Sequence, residues 1–241
     1  MRLKPTQQSA FTLIELLVVI SIIAILAGIG LPVYSTVLVR GEQTKALTHA
    51  KQIGFACISY AKDNNGSFPN YTDYGTKTPA TSSSTSNQIL QTLIPDYVPD
   101  KSLFIINKSK YCKNAGTAAA NTPENFPKLG AAENEWAYVC GLTDTSYARW
   151  PFLADGFYQN TSYSPIASEY GGVWQAKKAI VIRCDGSGAV ETLKKSDKTV
   201  KRISDEADAT AKDAFVDGAG DTPPWFAFSD TLFVAQAQKA Q

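Results

Sequence analysis

The distribution of apolar residues divides the chain near residue 40. Between Glu15 and Arg40 no Asp, Glu, Lys or Arg interrupts a run that is dense in Leu, Ile, Val and Ala. A helix needs about 20 apolar residues to cross a hydrocarbon core of roughly 30 Å. The pattern therefore predicts a transmembrane helix over residues 11–40. Glu15 is the exception within it, and an acid inside a membrane indicates a functional role with a cationic partner. The alternative is that Glu15 lies at the headgroup level, where the start of a helix favours an acid.

The apolar pattern becomes one-sided over residues 41–62. Apolar residues recur there at helical spacing, at Ala46, Ala50, Ile53, Cys57 and Tyr60. This spacing predicts that the same helix continues with one face buried. We expect Pro32 to bend the helix, because proline lacks the amide hydrogen and crowds the preceding turn. The turn-forming cluster at 63–66 ends it.

Residues 63–241 alternate short apolar runs with turn-forming segments, which is typical of a globular head. The predicted elements are a short helix at Asn87–Val98 and strands at Leu103–Asn107, Trp136–Leu142, Lys178–Cys184 and Ala189–Leu193. Asp185-Gly186 between the last two strands favours a tight hairpin, because such turns need positive φ. We therefore predict an α+β fold, with the long N-terminal helix, transmembrane and then amphipathic, packed on a small antiparallel β-sheet head.

The ten residues before the apolar run form a short basic segment. It contains Arg2 and Lys4 but no acid, and it ends at the small residue Ala10. In an ordinary secretory signal the cleavage site follows the apolar region, whereas here the natural junction, Ala10/Phe11, precedes it. Cleavage there leaves the α-amine of Phe11 about one helical turn from Glu15. The basic residues also predict that this end stays in the cytoplasm and that the head lies outside it.

The start of the apolar run resembles that of a known protein family. The stretch FTLIELLVVI at 11–20 resembles the class III signal of type IV pilins and of the pseudopilins of type II secretion systems. Pro32 falls at the 22nd position after the cut, where many members of the family carry a proline. The family normally has Gly before the cut, whereas this chain has Ala10.

The resemblance implies how the protein is processed and assembled. Prepilin peptidase is expected to cut between Ala10 and Phe11 and to N-methylate Phe11, and Glu15 is expected to pair with the Phe11 amine of a neighbouring subunit. The implied partners are further copies of the chain, other pilin-like subunits, the peptidase and an inner-membrane assembly platform. The implied location is the bacterial inner membrane, as a single span, followed by a periplasmic or cell-surface filament.

Two functions are compatible with these features. The first is a structural subunit of a type II secretion pseudopilus or a type IV pilus-like filament. The alternative is a minor tip subunit whose aromatic-rich head binds a carbohydrate or an exoprotein. The chain is then divided into a leader at 1–10, an assembly helix at 11–40, the head half of the helix at 41–62 and the head at 63–241.

Residues 136–174 contain ten aromatic residues, which suit either a binding platform or a core. They include Trp136, Trp150, Phe157, Tyr163 and Trp174. With a small sheet to cover, packing in the core and loops is the preferred interpretation.

The remaining chemistry of the chain argues against an enzyme. His49, the single histidine, lies alone on the solvated side of the predicted helix, so the sequence indicates no Ser/His/Asp or Cys/His arrangement. The 23 basic and 22 acidic residues nearly balance, which gives no basic surface for nucleic acid. Asp217 and Asp221 flank glycines in a segment where some major pseudopilins bind calcium. The segment lacks the D-x-D-x-D-G spacing, so a plain turn is preferred, with a calcium site as the alternative. No other cofactor or metal is expected.

The four cysteines show no C-x-x-C spacing, which disfavours zinc or thioredoxin-like chemistry. An exported head allows disulfides, with three possible full pairings. Cys112–Cys140 is the preferred pair, because Cys57 and Cys184 lie in patterns that look core-facing. The alternative is that all four are small buried hydrophobic residues.

Overall fold

The computed structural model describes residues 12–73, 75–112, 128–159, 161–200, 213–215 and 233–239, with the side chains of 29–33 and 233 excepted. The chain divides into two compact units, residues 1–44 and 45–241. Four of the residues discussed above, Ala10, Phe11, Asp217 and Asp221, lie outside the described residues, as does the side chain of Pro32.

Helix α1 spans Leu13–Asp63, so one helix runs through residues 13–62 of the predicted range. In its second part the predicted stripe is confirmed, since Ala46, Ala50, Ile53, Cys57 and Tyr60 are all buried. The helix ends as predicted: Gly66 adopts a φ of +77° and its N–H donates to Ala61 O at 2.8 Å. No helix in the described part of the chain combines the length and the apolar character that a membrane crossing requires.

The head is built around a five-stranded antiparallel sheet. Its strands are β3 (Trp136–Cys140), β4 (Pro151–Asp155), β5 (Lys178–Arg183), β6 (Gly188–Thr192) and β7 (Phe233–Ala235). They lie in the order β6-β5-β4-β3-β7. Two short strands, β1 (Tyr71–Asp73) and β2 (Thr78–Pro79), pair separately. The α+β prediction is thus confirmed.

The β5–β6 hairpin forms where the sequence predicted it. Ile182 pairs with Gly188 next to the turn, and Lys178 pairs with Thr192 at the far end. In the turn, Gly186 adopts a φ of +78°, and the Asp185 carboxylate accepts from the Ser187 N–H at 2.8 Å. Gly186 therefore supplies the positive φ that the sequence predicted, and Asp185 adds a hydrogen bond within the turn.

The segment after α1 differs in part from the sequence prediction. The predicted helix at Asn87–Val98 is shorter, with α2 at Ser86–Leu90 followed by a 3₁₀ turn at Gln91–Leu93. The predicted strand at Leu103–Asn107 is wrong, because a 3₁₀ turn occupies Lys101–Phe104. Asp100 initiates that turn by accepting from the Ser102 N–H at 2.8 Å. A further 3₁₀ turn covers Lys110–Cys112.

Gly54 lets α1 lie close to the central strands. A Cβ atom at this position would lie 2.9 Å from Ile182 Cγ2 and 3.5 Å from Phe152 Cζ. Those two side chains belong to β5 and β4 and are fully buried. The absence of a side chain at residue 54 therefore sets how closely the helix packs on the sheet.

Replacing Gly54 with Leu is expected to destabilise the head. The added side chain overpacks a closed core, which typically costs about 1–3 kcal/mol. Gly41→Ala is the matched control, because a Cβ there meets nothing within 4 Å and alanine favours the helix by up to about 1 kcal/mol. Denaturant unfolding of the full chain in detergent measures both changes. Equal stability of the two variants would contradict the close packing at residue 54.

Candidate functional site

The first turn of α1 is held by a reciprocal set of hydrogen bonds between Thr12 and Glu15. Glu15 Oε2 accepts from the Thr12 N–H at 2.9 Å and from the Thr12 hydroxyl at 2.9 Å. The Thr12 hydroxyl in turn accepts from the Glu15 N–H at 3.2 Å. This is a capping box, which satisfies N–H groups at the start of a helix. The sequence signature Thr-x-x-Glu predicts this box, in addition to the role that the apolar surroundings indicate for Glu15.

Exposed apolar side chains surround this carboxylate. Leu13 and Ile14 are 87% and 75% exposed, and exposure of large apolar residues continues through Leu16, Leu17, Val18, Val19, Ile20, Ile22, Ile23, Ile25 and Leu26. Consecutive residues are exposed, so the apolar surface covers every side of the helix rather than one stripe. A helix with that surface is normally buried within a protein assembly or a membrane.

Within the described residues, Glu15 has no basic side chain paired with it. Its oxygens accept from Thr12, and the positive end of the helix dipole favours its charge. A carboxylate offers about four acceptor sites, so this arrangement leaves room for a further donor. The site can therefore bind a cationic group that approaches the start of the helix.

All four cysteines are unpaired in this structure, so the Cys112–Cys140 disulfide stays a prediction. Cys112 packs in a small separate cluster with Tyr111 and Ala237, whereas Cys140 belongs to the main core. Each thiol has its own acceptor, Phe104 O at 3.9 Å for Cys112 and Pro69 O at 4.0 Å for Cys140. All four cysteines are at least partly packed in cores. A core-facing pattern therefore does not distinguish Cys57 and Cys184 from Cys112 and Cys140.

The aromatic residues of the middle segment serve the core. Trp136, Phe157, Tyr163 and Trp174 are at most 5% exposed, and Trp150 is half-buried against the core. Two of their polar atoms bond internally: Trp136 Nε1 donates to Leu103 O at 3.0 Å, and the Tyr163 hydroxyl donates to Asp155 O at 3.1 Å. Trp174 Nε1 is buried without a hydrogen-bond partner among the described residues. These five residues therefore pack in or against the core, as preferred above, and do not form a binding platform for a sugar.

Two buried acids, at the end of β4 and directly before β3, were not predicted from the sequence. Glu135 and Asp155 are both fully buried. Glu135 accepts from the Ser109 hydroxyl, and Asp155 Oδ1 accepts from the Ile180 N–H at 2.7 Å and the Tyr163 hydroxyl at 3.4 Å. One oxygen of each carboxyl, Glu135 Oε1 and Asp155 Oδ2, is buried without a hydrogen-bond partner. No local sequence signal marks either residue as buried.

Burial dominates the ionisation of these acids. It raises the pKa of Asp155 to about 7, although hydrogen bonds from Ile180 and Tyr163 act in the opposite direction. It also raises the pKa of Glu135 well above its usual range, and the nearby charge of Asp155 adds to that increase. The pair therefore favours protonated carboxyl groups, as expected where charge is removed from water.

His49, the single histidine, is half-buried on α1 rather than at a catalytic site. Burial lowers its pKa, and the charge of Lys45 lowers it further while Asp100 opposes the change. The imidazole is therefore expected to be neutral at physiological pH.

Comparisons with known proteins match the start of the chain most directly. A family model described as "Prokaryotic N-terminal methylation motif" matches residues 5–31, a range that includes Ala10, Phe11 and Glu15. The type IV major fimbrial protein FimA of Dichelobacter nodosus is 27% identical over 146 residues, which cover 56% of this chain and 89% of FimA. The type IV major pilin protein PilE1 of Neisseria gonorrhoeae is 37% identical over 75 residues, which cover 31% of this chain and 35% of PilE1. No solved structure matched.

Proposed function

Because this chain is a type IV pilin-like structural subunit and not an enzyme, we propose that it is cut between Ala10 and Phe11 and polymerises through its N-terminal helix. Prepilin peptidase makes the cut and methylates the new amine of Phe11. The observation that carries the proposal is the first turn of α1, where an exposed Glu15 carboxylate is fixed at the helix start among exposed apolar side chains.

The apolar surface of α1 gives the reason for assembly. Burying apolar surface stabilises by about 25 cal/mol per Å², so a helix exposed on every side gains from complete cover. In the proposed life cycle, lipid supplies that cover first, with the helix as a single span of the inner membrane and the head outside the cytoplasm. The same helices of other subunits supply it afterwards, in the core of the filament.

Glu15 gives the reason for a defined register between subunits. The methylated amine of Phe11 is a cation, and it needs a counter-charge once it leaves water. Thr12 holds Glu15 at the helix start with acceptor sites to spare, so the amine of a neighbouring subunit can bind there. A subunit displaced along the filament axis loses this pair, which makes the correct register the favoured one.

The filament that we propose is a type IV pilus-like one. The support is that the relatives named above are a major fimbrial protein and a major pilin. Other pilin-like subunits and an inner-membrane assembly platform are the proposed partners. A type II secretion pseudopilus is the alternative, and long cell-surface filaments labelled by an antibody to the head distinguish the pilus from it.

Processing at Ala10 is the first testable consequence. Intact-mass analysis of the membrane-extracted protein is expected to give a chain that starts at N-methylated Phe11 when the peptidase is present. It is expected to give a chain that retains residues 1–10 when the peptidase gene is deleted. The physical reason is that a small residue before the cut fits an enzyme site shaped for glycine.

Two variants at the same position make the result specific. Ala10→Gly restores the usual family residue and is expected to be processed at least as completely as the natural chain. Ala10→Leu introduces a bulky side chain and is expected to retain the leader. If the natural chain keeps its leader while Ala10→Gly loses it, Ala10 blocks the site and the proposal fails for this protein.

A further inference from the structure

Helix α1 follows the β5–β6 hairpin at close range. At one point, a Cβ atom on Gly54 would lie 2.9 Å from Ile182 Cγ2 in β5. At the hairpin turn, a Cβ atom on Gly186 would lie 3.3 Å from both Ile58 Cδ1 and Phe55 Cε1. The path from residue 182 to residue 186 therefore runs beside the helical turn from residue 54 to residue 58.

Cys57 and Cys184 occupy the middle of this contact. Cys184 is the first residue after β5, which ends at Arg183. Its N–H donates to Trp150 O at 3.0 Å, which keeps residue 184 in line with the sheet. Cys57 is fully buried one turn after Gly54. The two side chains thus approach the same space from the helix and from the strand.

The ionisation of the two thiols is consistent with this placement. Burial raises the pKa of Cys57, and the neighbouring Cys184 raises it further. Burial also raises the pKa of Cys184 to about 12. Because the thiolate is the reactive form, any reaction between the two is slow in the folded chain and fast only while the chain folds.

The other two cysteines are placed less favourably. Cys112 packs in a separate cluster with Tyr111 and Ala237. Cys140 lies in β3, and β4 separates that strand from β5. Two strand spacings amount to about 10 Å, which exceeds the Cα separation of about 4.4–6.8 Å that a disulfide spans.

We propose that Cys57 and Cys184 form a disulfide that ties α1 to the β5–β6 hairpin. The proposal rests on the proposed function, which places the head outside the cytoplasm, where such bonds persist. Each thiol loses a proton, a bond forms between the two sulfurs, and two electrons reduce the disulfide of a protein oxidant or of glutathione to two thiols. The bond joins α1 covalently to the β5–β6 hairpin, so that a force applied to α1 cannot separate the helix from the sheet.

Oxidative refolding of the full chain tests the pairing. The reduced chain is refolded from denaturant into detergent with oxidised and reduced glutathione, its free thiols are blocked, and its peptides are mapped by mass spectrometry. The expected product joins Cys57 to Cys184 and carries the blocking group on Cys112 and Cys140. Four blocked thiols, or a different pair as the main product, would overturn the proposal.

The thermal midpoint gives a second readout that mapping alone lacks. The bond closes a loop of more than 100 residues, so its reduction is expected to lower the midpoint by about 10 °C. Cys57→Ala and Cys184→Ala are expected to abolish this difference between oxidised and reduced samples, whereas Cys112→Ala keeps it. A difference that survives in Cys184→Ala contradicts the pairing. The mass of the N-terminal peptide from cells reports processing separately, so failure of the disulfide and failure of the proposed function are distinguishable.

Discussion

Replacing Glu15 with Gln is expected to abolish filament assembly while leaving the helix and its membrane pool intact. Glutamine can take the capping role, because a capping box accepts either Glu or Gln at this position. It cannot neutralise the Phe11 amine of a neighbouring subunit. Leaving one member of a buried ion pair without its partner costs about 3–5 kcal/mol, which is more than a 100-fold loss in association. The measurement is the amount of sheared filament relative to the processed protein in the membrane.

Thr12→Ala is the matched control for this experiment. It removes the hydroxyl that donates to Glu15 at 2.9 Å and accepts from its N–H at 3.2 Å, but it keeps the carboxylate. Loss of a helix cap typically costs about 1 kcal/mol, so this variant is expected to assemble filaments at a modestly reduced level. Normal filaments from Glu15→Gln together with a defect in Thr12→Ala would mean that Glu15 acts only as a cap.

The features that the sequence predicted correctly depend on local patterns. The buried stripe from Ala46 to Tyr60 follows from helical spacing alone. The end of α1 follows from the Asn-Gly pair before Ser67, and the β5–β6 turn follows from Asp185-Gly186. In each case a few neighbouring residues determine the backbone conformation, so no distant contact was needed to predict it.

The features that the sequence did not predict depend on distant contacts. Strand β4 begins with Pro151, which argues against a central strand, yet it pairs with β3 and β5 on both sides. The wrong strand at Leu103–Asn107 is apolar enough for a strand, but Asp100 turns the chain there. For Glu135, a position next to a strand did not indicate whether the side chain would face the solvent or the core.

The candidate site divides in the same way. Glu15 was identified because an acid within an apolar run can be recognised from the sequence alone. The closeness of Cys57 and Cys184, in contrast, arises only when α1 packs on β5. A core-facing pattern alone does not exclude a cysteine from a disulfide. A buried interface between two elements is also where a cross-link can form.

Replacing Asp155 with Asn is expected to stabilise the full chain at pH 8 and to flatten its dependence on pH. The pKa of Asp155 is about 7 in the folded protein against 3.8 in the unfolded chain. A difference of that size corresponds to about 4 kcal/mol. Asparagine keeps an oxygen that can accept from the Ile180 N–H, and it never carries the buried charge.

The sign of the pH dependence follows from proton binding. Between pH 3.8 and about 7 the folded state holds a proton on Asp155 that the unfolded state has released. The free energy of unfolding therefore falls as pH rises through this window. Burial raises the pKa of Glu135 well above its usual range, so Glu135 acts in the same direction. The measurement is denaturant unfolding in detergent at pH 4, 6 and 8.

Asp185→Asn is the control with the opposite sign. Asp185 lies in the exposed β5–β6 turn, where desolvation is outweighed by hydrogen bonds from Ser187 and by Arg183, so its pKa is lowered. The contribution of Asp185 to stability is present at neutral pH and is lost as pH falls, so Asp185→Asn is expected to weaken the head slightly at pH 8 and not at low pH.

If Asp155→Asn also destabilises the chain at pH 8, the Asp155 carboxylate is paired there with a cation or hydrogen-bond donor. Its burial would then stabilise the charged form, which reverses the direction of the pH effect that we expect.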